Sequence, residues 1–153
     1  MSRSFARHAV VAWLSFATLG AHAADIGTGG DALAPARELI TSQRFEEATV
    51  ALREVADPGN PDWQNLMGYT LRRSRKPDLA AAQKHYDVAL KIDPQHRGAL
   101  QYAGELALMK GQLPVAEDRL ARLGTACRKA CEEYLNLEDA VKRYKATGRY
   151  VGW

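Results

Sequence analysis

Apolar side chains recur three and four positions apart along most of this chain, which is the spacing of one face of an α-helix. Pro and Gly clusters interrupt the pattern, as at 57–61 and 93–94, and mark positions where helices end. The pattern predicts seven helices. Their predicted bounds are 34–42, 45–56, 61 to the break before Lys76, 79–92, 98–110, 113–123 and 132–145.

Short turns join the first six predicted helices in pairs, at Gln43-Arg44, at Lys76-Pro77-Asp78 and at Gly111. Gly111 stands where a residue in the left-handed conformation would end a helix. In the middle pair, Gly68 and Ala82 are small enough to let the two helices approach closely. The pattern therefore predicts an all-α fold of three helical hairpins, at about 34–60, 61–96 and 97–130.

The hairpins share a repeated set of small and apolar residues. The matching positions are Gly104, Ala107, Gly111, Ala116 and Leu120 in the third hairpin, Trp63, Leu66, Gly68, Leu71, Leu79, Ala82, Tyr86, Ala89 and Pro94 in the second, and Gln43, Phe45, Ala48, Leu52 and Val55 in the first. This spacing resembles the 34-residue tetratricopeptide repeat, with two extra residues in the turn at Lys76-Pro77. The chain is also similar to small exported bacterial tetratricopeptide proteins that end in a Cys-containing cap helix. The resemblance implies a right-handed α-solenoid over 34–146, with a concave groove lined by the first helix of each repeat.

The last predicted helix, within 131–146, would cap the solenoid. Acidic residues lie near its start and basic residues near its end, an order that complements the helix dipole. Its predicted inward positions are Tyr134, Leu135, Leu137, Ala140, Val141 and Tyr144. The tail at 147–153 carries Tyr150, Val151 and Trp153. We expect it to fold back because free aromatic rings are costly to leave in water, and a loose tail is the alternative.

Residues 1–24 resemble a secretory signal peptide. Arg3 and Arg7 form a basic start, an apolar run follows at 9–20, and residues 21–23 form an A-x-A cleavage site. An uncleaved amphipathic helix is the alternative. Residues 25–33 are rich in glycine but are not followed by the Lys-Ser/Thr of a phosphate-binding loop. We therefore predict that they form a flexible lead.

Export suggests a periplasmic protein that does not span the membrane after signal cleavage, since no later segment is long and apolar enough to cross a bilayer. The formal net charge is +3, and the loss of Arg3 and Arg7 with the signal peptide lowers it to +1. A charge so close to zero predicts neither nucleic acid nor a membrane surface as partner.

Cys127 and Cys131 are the two cysteines of the chain. In an exported protein such a pair is expected to form a disulfide. Cβ atoms four residues apart in an unbroken helix are too distant for the roughly 3.5–4.5 Å that a disulfide requires. A bridge therefore predicts a helix break between the two residues. A redox-active dithiol, favoured by Arg128 and Lys129, and a two-thiolate metal site remain as alternatives.

The inventory of catalytic residue types is poor. Beyond the signal peptide the chain has two serines and two histidines, with neither a nucleophile elbow nor an H-E-x-x-H motif. Adjacent carboxylates such as Glu46 and Glu47 point about 100° apart on a helix and do not share a site. We therefore predict a protein that is not an enzyme and needs no cofactor or metal.

The resemblance places the functional surface in the concave groove. The groove residues it implies are Asn65, Tyr69, Arg72, Arg73, His96, Gln101, Glu105 and Met109, with Arg37, Thr41 and Leu108 beside them. Asn, Tyr and Arg side chains are suited to holding a peptide backbone or a carboxylate. Arg72 and Arg73 could also be a solvated turn end. A chaperone-tail clamp is not expected, because Gly98 and Tyr102 occupy its basic positions.

The hypothesis is therefore a protein-binding adaptor or scaffold of the cell envelope that holds a partner polypeptide in the groove. A thiol-redox or metal-delivery factor that uses Cys127 and Cys131 is the alternative. The sequence does not identify the partner.

Overall fold

A computed structural model describes residues 31–152 of the chain. The predicted signal peptide, most of the predicted lead and Trp153 lie outside the described residues. Within this range the chain forms seven α-helices and is all-α. They are α1 (Ala34–Thr41), α2 (Phe45–Val55), α3 (Pro61–Arg73), α4 (Leu79–Ile92), α5 (Arg97–Met109), α6 (Leu113–Cys127) and α7 (Glu132–Thr147).

The helices pack as consecutive pairs. Helix α1 lies against α2, α3 against α4, and α5 against α6, while α2 contacts α3 and α4 contacts α5 to join the pairs in chain order. Helix α7 follows the third pair and packs on both α5 and α6. The arrangement is that of a helical-hairpin array, as predicted. Whether the hairpins form a right-handed solenoid stays a prediction.

Local hydrogen bonds explain several of the helix boundaries. The Asn60 side chain accepts from the backbone N–H of Asp62 at 2.9 Å, which caps α3 just before Pro61. Asp78 Oδ1 accepts from the N–H of Ala81 at 2.9 Å and caps α4 in the same way. Because these caps lie within three residues of the groups they bind, the sequence pattern places both helix starts correctly.

Helix α6 is longer than predicted. It was expected to end at Leu123, with Gly124 closing it, but it continues to Cys127. Gly124 is buried, and a Cβ atom there would lie 3.1 Å from Cε2 of Tyr134. The glycine therefore lets α7 approach α6 closely. The helix instead ends with Arg128 at φ +54°.

Small residues also set the distances between other helices. A Cβ atom on Gly68 would lie 2.6 Å from Cε1 of Tyr86, which is fully buried on α4. A Cβ atom on Gly104 would lie 2.6 Å from Cδ2 of Leu137 on α7. The predicted close approach of α3 and α4 at Gly68 is thus confirmed, and α5 and α7 meet in the same manner.

Two hydrophobic clusters form the core. The larger contains residues of α4 to α7, and the smaller lies between α1, α2 and α3 around Leu52 and Trp63. Leu33, at the end of the predicted lead, belongs to the smaller cluster and is 3% exposed. Leu135 was predicted to face inward but is 54% exposed, so that prediction is wrong. It follows the buried Tyr134 by one position, and adjacent helical residues point about 100° apart.

Within residues 31–152, no helix has the length and apolar character needed to cross a membrane.

Candidate functional site

Helices α3, α5 and α7 share one face of the molecule, because α5 packs against α7 and, more lightly, against α3. We call this surface the α3–α5–α7 face. It brings together most of the residues that the sequence predicts for the groove. They are Tyr69, Arg72 and Arg73 on α3, and Gln101, Glu105 and Met109 on α5.

A buried ion pair lies at the centre of this face. Nη2 of Arg72 is 2.8 Å from Oε2 of Glu105, and the two side chains are 3% and 1% exposed. Gln101 Nε2 donates to the other carboxylate oxygen at 2.9 Å. Nη2 of Arg72 is thus close enough to Glu105 for an ion pair but is not aligned for a hydrogen bond. Nε of Arg72 has no hydrogen-bond acceptor within the described part of the chain. Glu105 thus joins α3 and α5 electrostatically from inside.

Tyrosine rings surround the guanidinium. Cζ of Arg72 lies 5.6 Å from the ring centroid of Tyr69 and 5.4 Å from that of Tyr102, which are cation–π distances. The two ring centroids are 4.6 Å apart. Tyr86 packs behind Tyr102, and Tyr150 from the C-terminal tail donates its hydroxyl to Oε2 of Glu105 at 3.3 Å. We call the whole group the Arg72 cluster; its members are Tyr69, Arg72, Tyr86, Gln101, Tyr102, Glu105 and Tyr150.

Burial shifts the proton affinities within the Arg72 cluster. It raises the pKa of Tyr102 to about 12, with the negative charge of Glu105 among the contributing causes. Burial also raises the pKa of Tyr86 well above its ordinary value. For Arg72, burial acts to lower the pKa, but Tyr86 and Glu105 beside it raise it more, so the guanidinium stays charged. The centre of the cluster is therefore a buried ion pair, with the neutral phenols of Tyr86 and Tyr102 beside it.

Alkaline pH is expected to destabilise the fold through these phenols. An unfolded tyrosine ionises near pH 10, whereas folded Tyr102 resists ionisation up to about pH 12. The unfolded state therefore loses its proton first, and stability falls as pH rises between those values. Two pKa units correspond to about 3 kcal/mol for Tyr102 alone. Absorbance at 295 nm during a pH titration should show cooperative ionisation together with unfolding; independent titration of every tyrosine near pH 10 without unfolding would contradict this.

The remaining two predicted residues, Asn65 and His96, line a polar cavity of about 420 Å³ that Tyr102 also lines. His96 Nδ1 accepts from the N–H of Ala99 at 3.0 Å, so the proton of the neutral ring is on Nε2, where it donates to Asp62 at 3.0 Å. The histidine therefore caps α5 and links it to the start of α3. Oδ1 of Asn65 is buried without a partner among residues 31–152.

The cysteine pair occupies a helix break, as predicted. Cys127 ends α6, Cys131 is the N-cap of α7, and their Cα atoms are 5.7 Å apart in a disulfide. Arg128 and Lys129 between them take left-handed φ values of +54° and +61°. The break therefore supplies the backbone reversal that the bridge needs. No group of three or more His, Cys, Asp or Glu residues in the described range could hold a metal ion.

Reduction of the disulfide is expected to lower the free energy of unfolding by about 2 kcal/mol, because so small a ring restricts the unfolded chain only slightly. Urea denaturation with and without a phosphine reductant measures this, and a Cys127→Ser/Cys131→Ser variant should match the reduced protein. Resistance of the native bond to mild reductant would favour a structural role. A readily reduced pair, or one metal ion bound per reduced chain, would instead favour the thiol-redox or metal-delivery hypothesis.

From the sequence, Tyr86 was predicted to be a packing residue, and Tyr102 served only as an argument against a chaperone-tail clamp. Tyr150 was not predicted to belong to a binding site. One signal was available. Gly68 and Gly104 are matching repeat positions, so the next residues, Tyr69 and Glu105, match as well, and Arg72 lies one helical turn after Tyr69. Because equivalent positions of adjacent repeats lie near each other, this alignment places Glu105 beside the turn of α3 that carries Tyr69 and Arg72.

Comparison with known proteins assigns no family. No protein-family model matches the chain, and no curated protein matches it significantly. The tetratricopeptide resemblance therefore stays a prediction from the residue spacing.

Proposed function

We propose that this protein is a non-enzymatic adaptor of the cell envelope, and that it holds an extended segment of a partner polypeptide on the α3–α5–α7 face. The observation that carries the proposal is the pair of tyrosine rings, Tyr69 and Tyr102, fixed beside the Arg72–Glu105 ion pair. Rings already held in place bind a partner with little loss of conformational freedom. The proposal includes a tetratricopeptide-type array and a periplasmic location.

The accessible chemistry of the face suits a peptide. Arg72 and Glu105 are buried, so they position the rings from behind, while partly exposed Tyr69 and Tyr102 present ring surface. Asn136 on α7 is exposed and lines a cavity beside Glu105. Ring surface and a side-chain amide together are able to hold an apolar side chain and a peptide backbone.

Arg73 extends this surface toward α2. Its guanidinium carbon lies 5.2 Å from the ring centroid of Phe45 and 5.8 Å from that of Tyr69. Phe45 and Tyr69 also contact each other edge to face, with centroids 5.9 Å apart. The aromatic packing thus continues from the second hairpin to the first, where Phe45 is buried and supports Tyr69 and Arg73.

Site-specific photo-crosslinking tests the proposal. A photoreactive phenylalanine replaces Met109, which is on α5 and 40% exposed, or Val88, which is on α4 and 38% exposed. The matched exposure makes Val88 a control for random collision. After irradiation in cells, we expect a discrete protein adduct at position 109 and none at position 88. Adducts at 88 alone, or equally at both positions, would contradict binding on this face.

A further inference from the structure

The C-terminal tail crosses the α3–α5–α7 face. Gly148 ends α7 in the left-handed conformation at φ +69°, and its N–H donates to the Tyr144 carbonyl at 2.7 Å. Thr147 Oγ1 lies 2.9 Å from the Arg143 carbonyl and 3.0 Å from the Arg149 carbonyl, and it accepts from the N–H of Arg149 at 3.3 Å, which fixes the turn that follows. This turn sends Tyr150 back toward α5.

Tyr150 is the anchor of the tail. Its ring is half-buried, and its hydroxyl donates to Oε2 of Glu105 at 3.3 Å, the same oxygen that pairs with Arg72. Burial, followed by the charge of Glu105, raises the pKa of Tyr150, so the phenol remains a donor at neutral pH. Val151 beyond it is 55% exposed. Among tail residues 149–152, Tyr150 therefore makes the main contact with α5.

Open space remains on both sides of this anchor. A cavity of about 350 Å³ lies between Tyr150 and the α7 residues Asn136 and Asp139. A second cavity of about 370 Å³ lies between Tyr150 and the α3 residues Arg72 and Arg73. Gly152 lines both cavities. The described part of the tail, 149–152, thus lies between two cavities.

We propose that the tail is a resident ligand of the Arg72 cluster, and that the partner is an extended segment whose tyrosine takes the place of Tyr150 at Glu105. This inference rests on the proposed function and names the partner's chemistry. The site holds a ring between the α3 residues Arg72 and Arg73 and the α7 residues Asn136 and Asp139, and it requires a hydroxyl that donates to the Glu105 carboxylate. Phenylalanine lacks the donor.

Tethering makes the tail a competitor of the partner. A segment on a short linker has an effective concentration in the millimolar range. Against a single-tyrosine peptide whose dissociation constant is about 100 μM, such a tail weakens apparent binding about tenfold. Terminal segments held by few buried contacts open at little cost in free energy, so a partner can displace this one.

Fluorescence polarisation tests the inference with a fluorescein-labelled peptide of residues 146–152, Ala-Thr-Gly-Arg-Tyr-Val-Gly. The two proteins compared are the full mature chain and a variant that ends after Gly148, which keeps all of α7. We expect the truncated variant to bind the peptide about tenfold more tightly than the full chain. A peptide with phenylalanine in place of tyrosine should bind at least several-fold more weakly.

Controls separate binding from folding. Circular dichroism should give the same helix content for both proteins. A full-length Tyr150→Phe variant retains the ring and the whole chain. It should also bind the peptide more tightly than the natural chain. Equal affinity of the truncated variant, the Tyr150→Phe variant and the full chain would overturn the inference, as would failure of the peptide to bind any of them.

The crosslinking experiment keeps this inference distinct from the proposed function. If a partner adduct forms at position 109 with the same yield in full and truncated chains, the adaptor function stands and the role of the tail is wrong. If the yield rises on truncation, both are supported. If no adduct forms at position 109 in either chain, the adaptor proposal itself is overturned, and the inference that rests on it is overturned as well.

Discussion

Replacing Arg72 with methionine is expected to lower the free energy of unfolding by about 3–5 kcal/mol, because it leaves the carboxylate of Glu105 buried without its cation. Glu105 is 1% exposed, so water is a poor substitute for the guanidinium while the tail is in place. The variant also removes the charge that holds Tyr69 and Tyr102 in place. Urea denaturation followed by circular dichroism at pH 7 measures the loss.

Two further variants identify the cause. Arg143→Met breaks an ion pair with Asp139 in which both side chains are about half exposed, and we expect it to cost less than about 1 kcal/mol. The double variant Arg72→Met/Glu105→Leu removes both buried charges together and should recover most of the loss. A cost for Arg72→Met no greater than that for Arg143→Met would contradict a stabilising role of the pair.

The burial of Arg72 also changes which experiments are informative. The sequence suggests that alanine at Arg72 and Arg73 would test binding, since both stand at the end of a predicted groove helix. Because Arg72 supports the fold, lost binding by that double variant would not distinguish a missing contact from partial unfolding. Substitutions at exposed positions such as Met109 avoid this ambiguity.

Local signals account for the success of the helix prediction. The predicted bounds of α4 match the structure, and those of α1, α2, α5 and α7 agree to within two residues. Capping residues and Pro-Gly clusters determine where helices start and end from within a few positions, so a single sequence is enough to recognise them. The helix break between Cys127 and Cys131 was equally predictable from the sequence, because the covalent geometry of a disulfide requires it.

Features that depend on contacts between residues far apart in the sequence could not be predicted in this way. Gly124 has the residue type of a helix end, and only Tyr134 on the next helix explains its position inside α6. Arg72 stands next to Arg73 and resembles a solvated turn end until Glu105, on α5, is placed beside it. The position of Tyr150 depends on a tail that has no periodic pattern at all. Tertiary contacts, which local spacing does not encode, decided each of these three cases.

Replacing Leu137 with alanine is expected to cost about 2–5 kcal/mol, because this side chain is fully buried and fills the space that Gly104 leaves on α5. Leu135, two positions earlier on the same helix, is the matched control. It is 54% exposed, and its change to alanine should alter stability by no more than about 0.5 kcal/mol. Equal costs for the two variants would show that α7 does not depend on this contact.

Gly104→Ala supplies the complementary half of the test. Alone it places a methyl group 2.6 Å from Cδ2 of Leu137 and should destabilise the protein by about 1–3 kcal/mol through overpacking. Combined with Leu137→Ala, the same methyl group enters the cavity that the shorter side chain leaves, so the double variant should be more stable than Leu137→Ala alone. This non-additivity is the signature of two residues in direct contact.

The Leu137→Ala variant should also affect the tail, because α7 carries it. Loosening the contact between α5 and α7 should free Tyr150 from Glu105. The labelled tail peptide should then bind this variant more tightly than the natural chain.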